Sequence, residues 1–299
     1  VEPSGSQDST LLKSIAELSL TKKKLEVKQK ALKTKLKDFE EKALQHKANQ
    51  VTILKELNQV CSDLAGEGSF NFSAIPYSFY ITDLSMDEID FHLKDPKGKK
   101  NYGSIKNLLN SEELAGRKVE MVTNGGMYKP NHQPQGLYIE GRRVISPLDT
   151  LNPDNHLNFY LLPNGVFLID TLNQPKVMST DEFRKSSSES NASLEFATQS
   201  GPMLVIDNKI HHKLTYNSPN KHIRSGVGVM SNGKVVFVIS RERTNFYDIA
   251  TVFKDFFGCK NALYLDGAIS LMYLKESAPK DVGGDFGPII SVSKKALPK

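Results

Sequence analysis

The chain has 299 residues, 38% of them hydrophobic, enough to bury a sizeable core and to exclude wholesale disorder. No apolar run of about eighteen residues occurs, so nothing in the sequence reads as a membrane-spanning helix. The net charge of +5 is mild but unevenly placed: residues 1–66 hold 12 lysines, 9 acids and no arginine.

Residues 11–64 read as one long helix. Leu11, Leu18, Leu25, Leu32, Phe39, His46, Ile53 and Val60 recur every seventh position, with Ile15, Leu36, Ala43 and Leu57 filling a second seam intermittently. Lys22, Gln29 and Gln50 interrupt that seam, so the arm is a marginal coiled coil or a helix laid against a partner, which opens self-association or an envelope partner to it. Eight lysines against Glu26 between Thr21 and Lys37 suit a solvated helix face or an anionic surface. One aromatic, Phe39, gives nucleic acid little to stack on.

Gly66 and Gly68 end the helix and open a second region, residues 68–299, of short apolar runs separated by turns. Strands are expected at Tyr77–Leu84, Val119–Thr123, Leu137–Ile139, Phe159–Leu162, Val166–Ile169, Met203–Ile206, Val227–Met230, Val235–Ser240 and Ala262–Leu265. Pro163-Asn164-Gly165 and Ser231-Asn232-Gly233 carry hairpin signals, with weaker ones at Glu140-Gly141-Arg142 and Asp207-Asn208-Lys209. Helices are expected at Ile105–Leu114 with Ser104 as N-cap, at Thr180–Lys185, and at Phe246–Phe257, where Ile249, Val252, Phe253, Phe256 and Phe257 mark one buried face. Ser186–Ser193 reads as a loop. The fold class is therefore α+β: a β-rich, mixed or antiparallel sheet domain with packed helices, preceded by the helical arm.

Five segments place polar or glycine residues at strand ends, where scaffolds carry function. Thr123-Asn124-Gly125-Gly126 lets backbone amides approach an anion, or is a tight turn. Gln199-Ser200-Gly201-Pro202 lacks a G-x-S-x-G elbow, so Ser200 is not read as a nucleophile. Arg224 is suited to gripping phosphate oxygens, or to a surface ion pair. Arg241 with Arg243 and Glu242 is a phosphate clamp or a self-neutralising cluster. Asp266, a carboxylate at the end of an apolar strand and followed by Gly267, is a costly charge unless used, paired or capping a turn. Cys61 and Cys259 have no metal-binding spacing and read as two free, buried thiols, and His211-His212 sits on a turn with diverging side chains, so no metal site and no cofactor is expected.

The order and wording of these segments resemble the phosphodiester glycosidase family. The matching runs are TNGGMY at 123–128, PQGLYIEGRR at 134–143, NFYLLPNGVFLI at 158–169, ATQSGPMLV at 197–205, IRSGVGV at 223–229, NFYDIATVFKDFFGCKNALYLDGAIS at 245–270 and GGDFGPII at 283–290. The wording is nearer to bacterial, envelope-associated members than to the mammalian enzyme. Ala268 stands where the family often has a second glycine, and Gln199-Ser200 where many members are glycine-rich. The resemblance implies hydrolysis of a sugar-1-phosphate diester at the glycosidic bond, outside the cytoplasm after export by a segment absent from this sequence. It implies functional positions at Asn124, Gly125, Gly126, Ser200, Gly201, Arg224, Asp266, Gly267 and Ser270. Arg224 would hold the phosphate, helped by the Gly125 and Gly126 amides, and Asp266 would act as base or stabilise charge at the anomeric carbon. A phosphodiesterase or a non-catalytic anionic-glycan-binding module using the same pocket are the alternatives.

Overall fold

The computed structural model describes residue 19 and residues 22–38, 59–61, 63–95, 97, 100–114, 116–153, 157–186, 194–266, 269–277 and 282–295. The chain divides into two compact units, Val1–Val60 and Cys61–Lys299. In the first unit, residues 22–38 are helical and all eight lysines of that stretch are exposed. Residues 19, 59–61 and 63 are also helical and Leu64 is not, and the rest of the expected arm helix lies outside the described residues. No described helix is long and apolar enough to cross a membrane.

The second unit is built of antiparallel sheet with few helices. Its largest sheet has seven strands in the order β1 (Gly66–Phe72), β2 (Ile75–Thr82), β13 (Val235–Ser240), β12 (Ser225–Val229), β14 (Asn261–Tyr264), β10 (Met203–Ile206) and β11 (Lys209–Ile210). A four-stranded sheet runs β15 (Met272–Leu274), β4 (Val119–Asn124), β16 (Ile289–Lys294), β3 (Asp87–His92). A five-stranded sheet runs β6 (Arg143–Ser146), β5 (Tyr138–Glu140), β9 (Leu194–Ser200), β7 (Gly165–Asp170), β8 (Pro175–Ser179). One apolar cluster joins all three: Tyr80 and Phe237 from the first, Met121 and Ile290 from the second, Phe167 and Val177 from the third. Burying such side chains is the main force holding the sheets face to face.

Ser231-Asn232-Gly233 joins β12 to β13, with Gly233 at φ +81°, and Asp207-Asn208-Lys209 turns β10 into β11, with Asn208 at φ +62°. Both use residues that tolerate the left-handed region. The run Phe159–Leu162 is not a strand. Asn158–Tyr160 forms a short 3-10 turn with Phe159 buried, so Pro163-Asn164-Gly165 leads from that turn into β7 and closes no hairpin.

The helices start where their caps dictate. In α1 (Ile105–Leu114) the Asn107 amide donates to Ser104 Oγ at 3.2 Å, and Ile105 and Leu108 pack with Val122 and Ile289. At α2 (Thr180–Ser186), Ser179 Oγ accepts from the Glu182 amide while Glu182 Oε2 accepts from the Ser179 amide, a reciprocal capping box. In α3 (Phe246–Thr251) the Asp248 amide donates to Asn245 Oδ1 at 2.9 Å. The expected single helix then widens into a π-helical turn, Val252–Phe256, and stops at Gly258 with φ +60°. Phe253 of that turn lies flush on β12. A Cβ on Gly226 would stand 2.8 Å from its Cε2, and one on Gly228 3.0 Å from its Cδ1.

Candidate active site

Three strand ends from different sheets meet at one point. Asn124 closes β4, Ser200 closes β9 and Asp266 follows β14; all three are buried, Asp266 being 6% exposed. The Gly125 carbonyl accepts from the Asp266 amide at 3.2 Å, and the Ser200 hydroxyl donates to the Leu265 carbonyl at 3.2 Å. The backbone carrying Asp266 is thereby pinned from two sides.

Asn124 ties the rest together. Its Oδ1 accepts from the Ser225 hydroxyl at 3.0 Å and from the Leu271 amide at 3.3 Å. Ser225 Oγ lies 3.3 Å from Ser270 Oγ, and the Ser270 hydroxyl donates to the Asp266 carbonyl at 3.0 Å. Asn124, Gly125, Ser200, Asp266 and Ser270 therefore converge, with Ser225 as their unforeseen link. Gly267 lies outside the described residues.

The glycines serve close packing. A Cβ on Gly126 would stand 2.3 Å from Thr198 Oγ1 and 2.5 Å from the Gln199 carbonyl, and one on Gly201 2.8 Å from both Asn164 Cβ and the Phe159 carbonyl. The Gly125 amide donates to the Pro288 carbonyl at 2.7 Å, so the expectation that it serves an anion is corrected: that donor is already committed. Gln199 is a bracket rather than a reacting group: Oε1 accepts from the Leu137 and Asp149 amides, and Nε2 donates to the Asp149 carbonyl and Thr180 Oγ1.

Tyr128, the last residue of the TNGGMY run, brings a second titratable group to Asp266. Its hydroxyl donates to the Asp285 carbonyl and lies against the Asp266 carboxylate. Burial first, then the charges of Asp266 and Asp285, hold the phenol above its usual range, so it stays a protonated donor. Its ring stacks on His132 at 5.8 Å, and His132 Nε2 reaches Asp285 Oδ1 at 2.6 Å.

Arg224 precedes Ser225 but faces elsewhere. It is 0% exposed, and its guanidinium donates to the Thr244 carbonyl (3.0 Å), Tyr264 Oη (3.3 Å), and the Asn220 carbonyl and Oδ1 (both 3.0 Å). The Phe246 ring covers it at 3.5 Å. The surface ion pair allowed for Arg224 is corrected: among the described residues its partners are all uncharged, and burial lowers its pKa while Tyr264 supports the cation. Tyr264 in turn is pushed up to about 12 by burial, lowered by Arg224 and raised by Asp266, which links the cation to the carboxylate through one phenol.

Arg241 does not join this group. It donates to Ser78 Oγ at 2.8 Å and to the Met272 carbonyl at 3.4 Å, towards β2 and β15, and among the described residues no ion pair joins Arg241 or Arg243 to Glu242, so the self-neutralising cluster is corrected. The His211 and His212 rings stack in parallel at 4.9 Å rather than diverging, and no cluster of three metal-capable side chains occurs among the described residues.

The profile of the family described as phosphodiester glycosidase matches residues 117–286, a span that runs from before Asn124 to beyond Ser270. The uncharacterized protein YigE of Escherichia coli K12 is 35% identical over 216 residues, covering 72% of this chain and 81% of its own. Among solved structures, the catalytic domain of zebrafish N-acetylglucosamine-1-phosphodiester alpha-N-acetylglucosaminidase, auto-inhibited by its pro-peptide, superposes with a TM-score of 0.52 at 14% identity, over 77% of this chain and 82% of that one. A hypothetical protein from Synechocystis gives 0.51 at 12% identity, over 77% and 61%. At those identities the two structures speak to the fold alone.

Proposed function

The chain belongs to the phosphodiester glycosidase family, and from that membership we propose that it hydrolyses the glycosidic bond of a sugar-1-phosphate diester. The observation that carries the reading is Asp266, a nearly buried carboxyl at the mouth of an apolar strand, set against the protonated Tyr128 inside a ring of neutral amides and hydroxyls. A charge is kept in such a place at several kcal/mol of desolvation cost, as functional acids are.

In this mechanism water attacks the anomeric carbon and Asp266 accepts its proton. The bond from that carbon to the phosphate oxygen breaks, and the phosphate leaves with the electron pair as a monoester. A phosphate needs little protonation to depart, so one acid suffices where ordinary glycosidases use two. Asn124 and Ser270 hold the Asp266 segment in place, and Tyr128 remains a donor throughout. Arg224 acts through its field: a caged cation beneath the site favours the negative charge that develops on the leaving phosphate. The expected location outside the cytoplasm belongs to the same proposal.

The test is turnover of a panel of sugar-1-phosphodiesters by the full chain in oxygen-18 water, read by mass spectrometry. Label on the sugar, lost in Asp266→Asn, supports the glycosidase. Label on phosphate makes the protein a phosphodiesterase. No turnover on the whole panel, with retention of an anionic glycan, makes it a binding module.

A further inference from the structure

The helix over residues 22–38 carries eight lysines against Glu26 and Asp38, a net charge of +6, and none of its residues is aromatic or an arginine. All eight lysines are exposed. At about 100° per residue, Lys22, Lys23, Lys30, Lys33 and Lys37 fall within an arc of about 100° on one side, with Glu26 the one acid among them. Leu25 and Val27, 59% and 69% exposed, border that arc on its two sides. Leu32, seven residues beyond Leu25, and Leu36 are buried, so the leucine seam is covered where they stand and Leu25 continues it into the open.

A helix that merely faces water gains by alternating signs, since opposite charges three or four residues apart support it and like charges there weaken it. Here Lys24 and Lys28, Lys30 and Lys33, and Lys33 and Lys37 are like charges at those spacings. Uniform charge of this kind costs the isolated helix stability and is relieved against a countercharged surface. We infer that the five-lysine side docks on a bilayer surface containing anionic phospholipid. Lysine ammoniums meet lipid phosphates as point charges and need no fixed fork geometry to do so. Duplex nucleic acid is the other polyanion a basic helix could meet. Without arginine for base edges or an aromatic for stacking, only the phosphate-charge part of such binding is left to this helix. Leu25 and Val27 add what a bilayer uses and a soluble polyanion does not: apolar side chains at the acyl boundary beside ammoniums at the headgroups. Leu32 and Leu36 are already buried in the protein, so the attachment is peripheral and governed by charge. It does not depend on whether Asp266 cleaves a diester.

The experiment is co-sedimentation of the full chain with sucrose-loaded vesicles, of phosphatidylcholine alone or mixed equally with phosphatidylglycerol. The mixed vesicles should bind the chain at least about tenfold more tightly than the neutral ones. Each lysine near an anionic surface is worth about fivefold in affinity, so Lys23→Gln, Lys30→Gln, Lys33→Gln and Lys37→Gln in one chain should weaken binding about 100-fold or more. Arginine at the same four positions should preserve binding, because the charge stays. Raising salt from about 0.1 M to about 1 M shortens the screening length from about 10 Å to about 3 Å and should release the wild-type chain. That arm needs no variant, so it decides even if circular dichroism shows that the glutamine variant has lost its helix. Leu25→Ala should weaken binding to mixed vesicles about fivefold at constant salt. Equal recovery on neutral and mixed vesicles, retention at high salt, or full binding by a folded glutamine variant overturns the inference. Tighter binding to duplex DNA than to mixed vesicles also overturns it and assigns the face to nucleic acid.

Discussion

Replacing Arg224 with methionine separates a structural cation from a substrate ligand. The change keeps most of the volume but withdraws the donors to Thr244 O, Tyr264 Oη and both oxygens of Asn220. Asn220 is exposed and can turn to water, whereas Thr244 and Tyr264 are 0% exposed and cannot. The Thr244 carbonyl keeps the His222 amide at 3.0 Å, so Tyr264 Oη is the buried acceptor that loses its donor, at about 1–3 kcal/mol, and the lost contact with Phe246 adds about 1 kcal/mol. Relief from burying a charge offsets part of this. The expected net loss is about 2 kcal/mol, or a melting point lower by about 4–8 °C for a domain of this size. Urea unfolding followed by far-ultraviolet circular dichroism measures it. Arg224→Met unfolding at the wild-type urea concentration would refute the reasoning, because the cage would then contribute nothing and the guanidinium would be held for substrate alone.

The other expectations are more local. Asp266→Asn should lower kcat by about 10²–10⁴ while the urea midpoint moves little, read on whichever diester the wild type cleaves; equal kcat would remove Asp266 from the mechanism. Gly126→Ala should destabilise by about 2 kcal/mol or more, since its Cβ would press on the Gln199 carbonyl at 2.5 Å, and a wild-type melting point would show that the loop yields freely. His92, bonded to Ser291 Oγ at 2.8 Å, has its pKa lowered to about 3 by burial and then by Arg117. Between there and its ordinary value near 6.5 the unfolded state binds the extra proton, so stability falls as pH drops through that window. The slope should be about 1 kcal/mol per pH unit, below the full value because the ring is partly exposed, and His92→Gln should flatten it in melting curves taken between pH 7 and 5.

Turn chemistry made much of the fold legible. Asn208 and Gly233 announced their hairpins because few residues adopt a left-handed backbone cheaply. Phe159–Leu162 misled because a four-residue apolar run has no measurable period; what bends it is the Asn164 side chain donating to the Phe159 carbonyl at 3.1 Å. β1, β3, β8, β9, β15 and β16 were not foreseen, and composition hid two of them. β1 begins GEGS, which reads as a linker, yet a Cβ on Gly68 would stand 2.4 Å from Phe79 Cζ, so that glycine serves packing. β16 buries Ser291 between Ile290 and Val292 and Ser293 beside Val292, and burial on both faces erases the two-residue alternation. At the site, the strand-end polar residues could be found because each borders an apolar run: Asn124 and Asp266 follow one, and Ser200 stands just before Met203–Ile206. Ser225 and Tyr128 could not be singled out, since a serine opening SGVGV and a tyrosine two residues past a glycine pair gain meaning only when strands from separate sheets meet. Tyr128 did stand within the quoted TNGGMY run and Ser225 within IRSGVGV, and those runs were the available signals.

The fit of Phe253 against Gly226 and Gly228 means that these three positions cannot drift independently through evolution. A larger residue on β12 needs a smaller one in the π-helical turn, and the turn, one residue wider than an α-helical one, can lose that residue only by rotating Phe253 off the strand. Substitutions here should therefore be accepted in pairs. In a double-mutant cycle, Gly226→Ala, harmful alone, should be rescued at least partly by Phe253→Leu, giving a coupling energy of about 0.5–3 kcal/mol. The back of the strand that delivers Ser225 to Asn124 thus behaves as one heritable unit, although none of its three members touches the catalytic cluster.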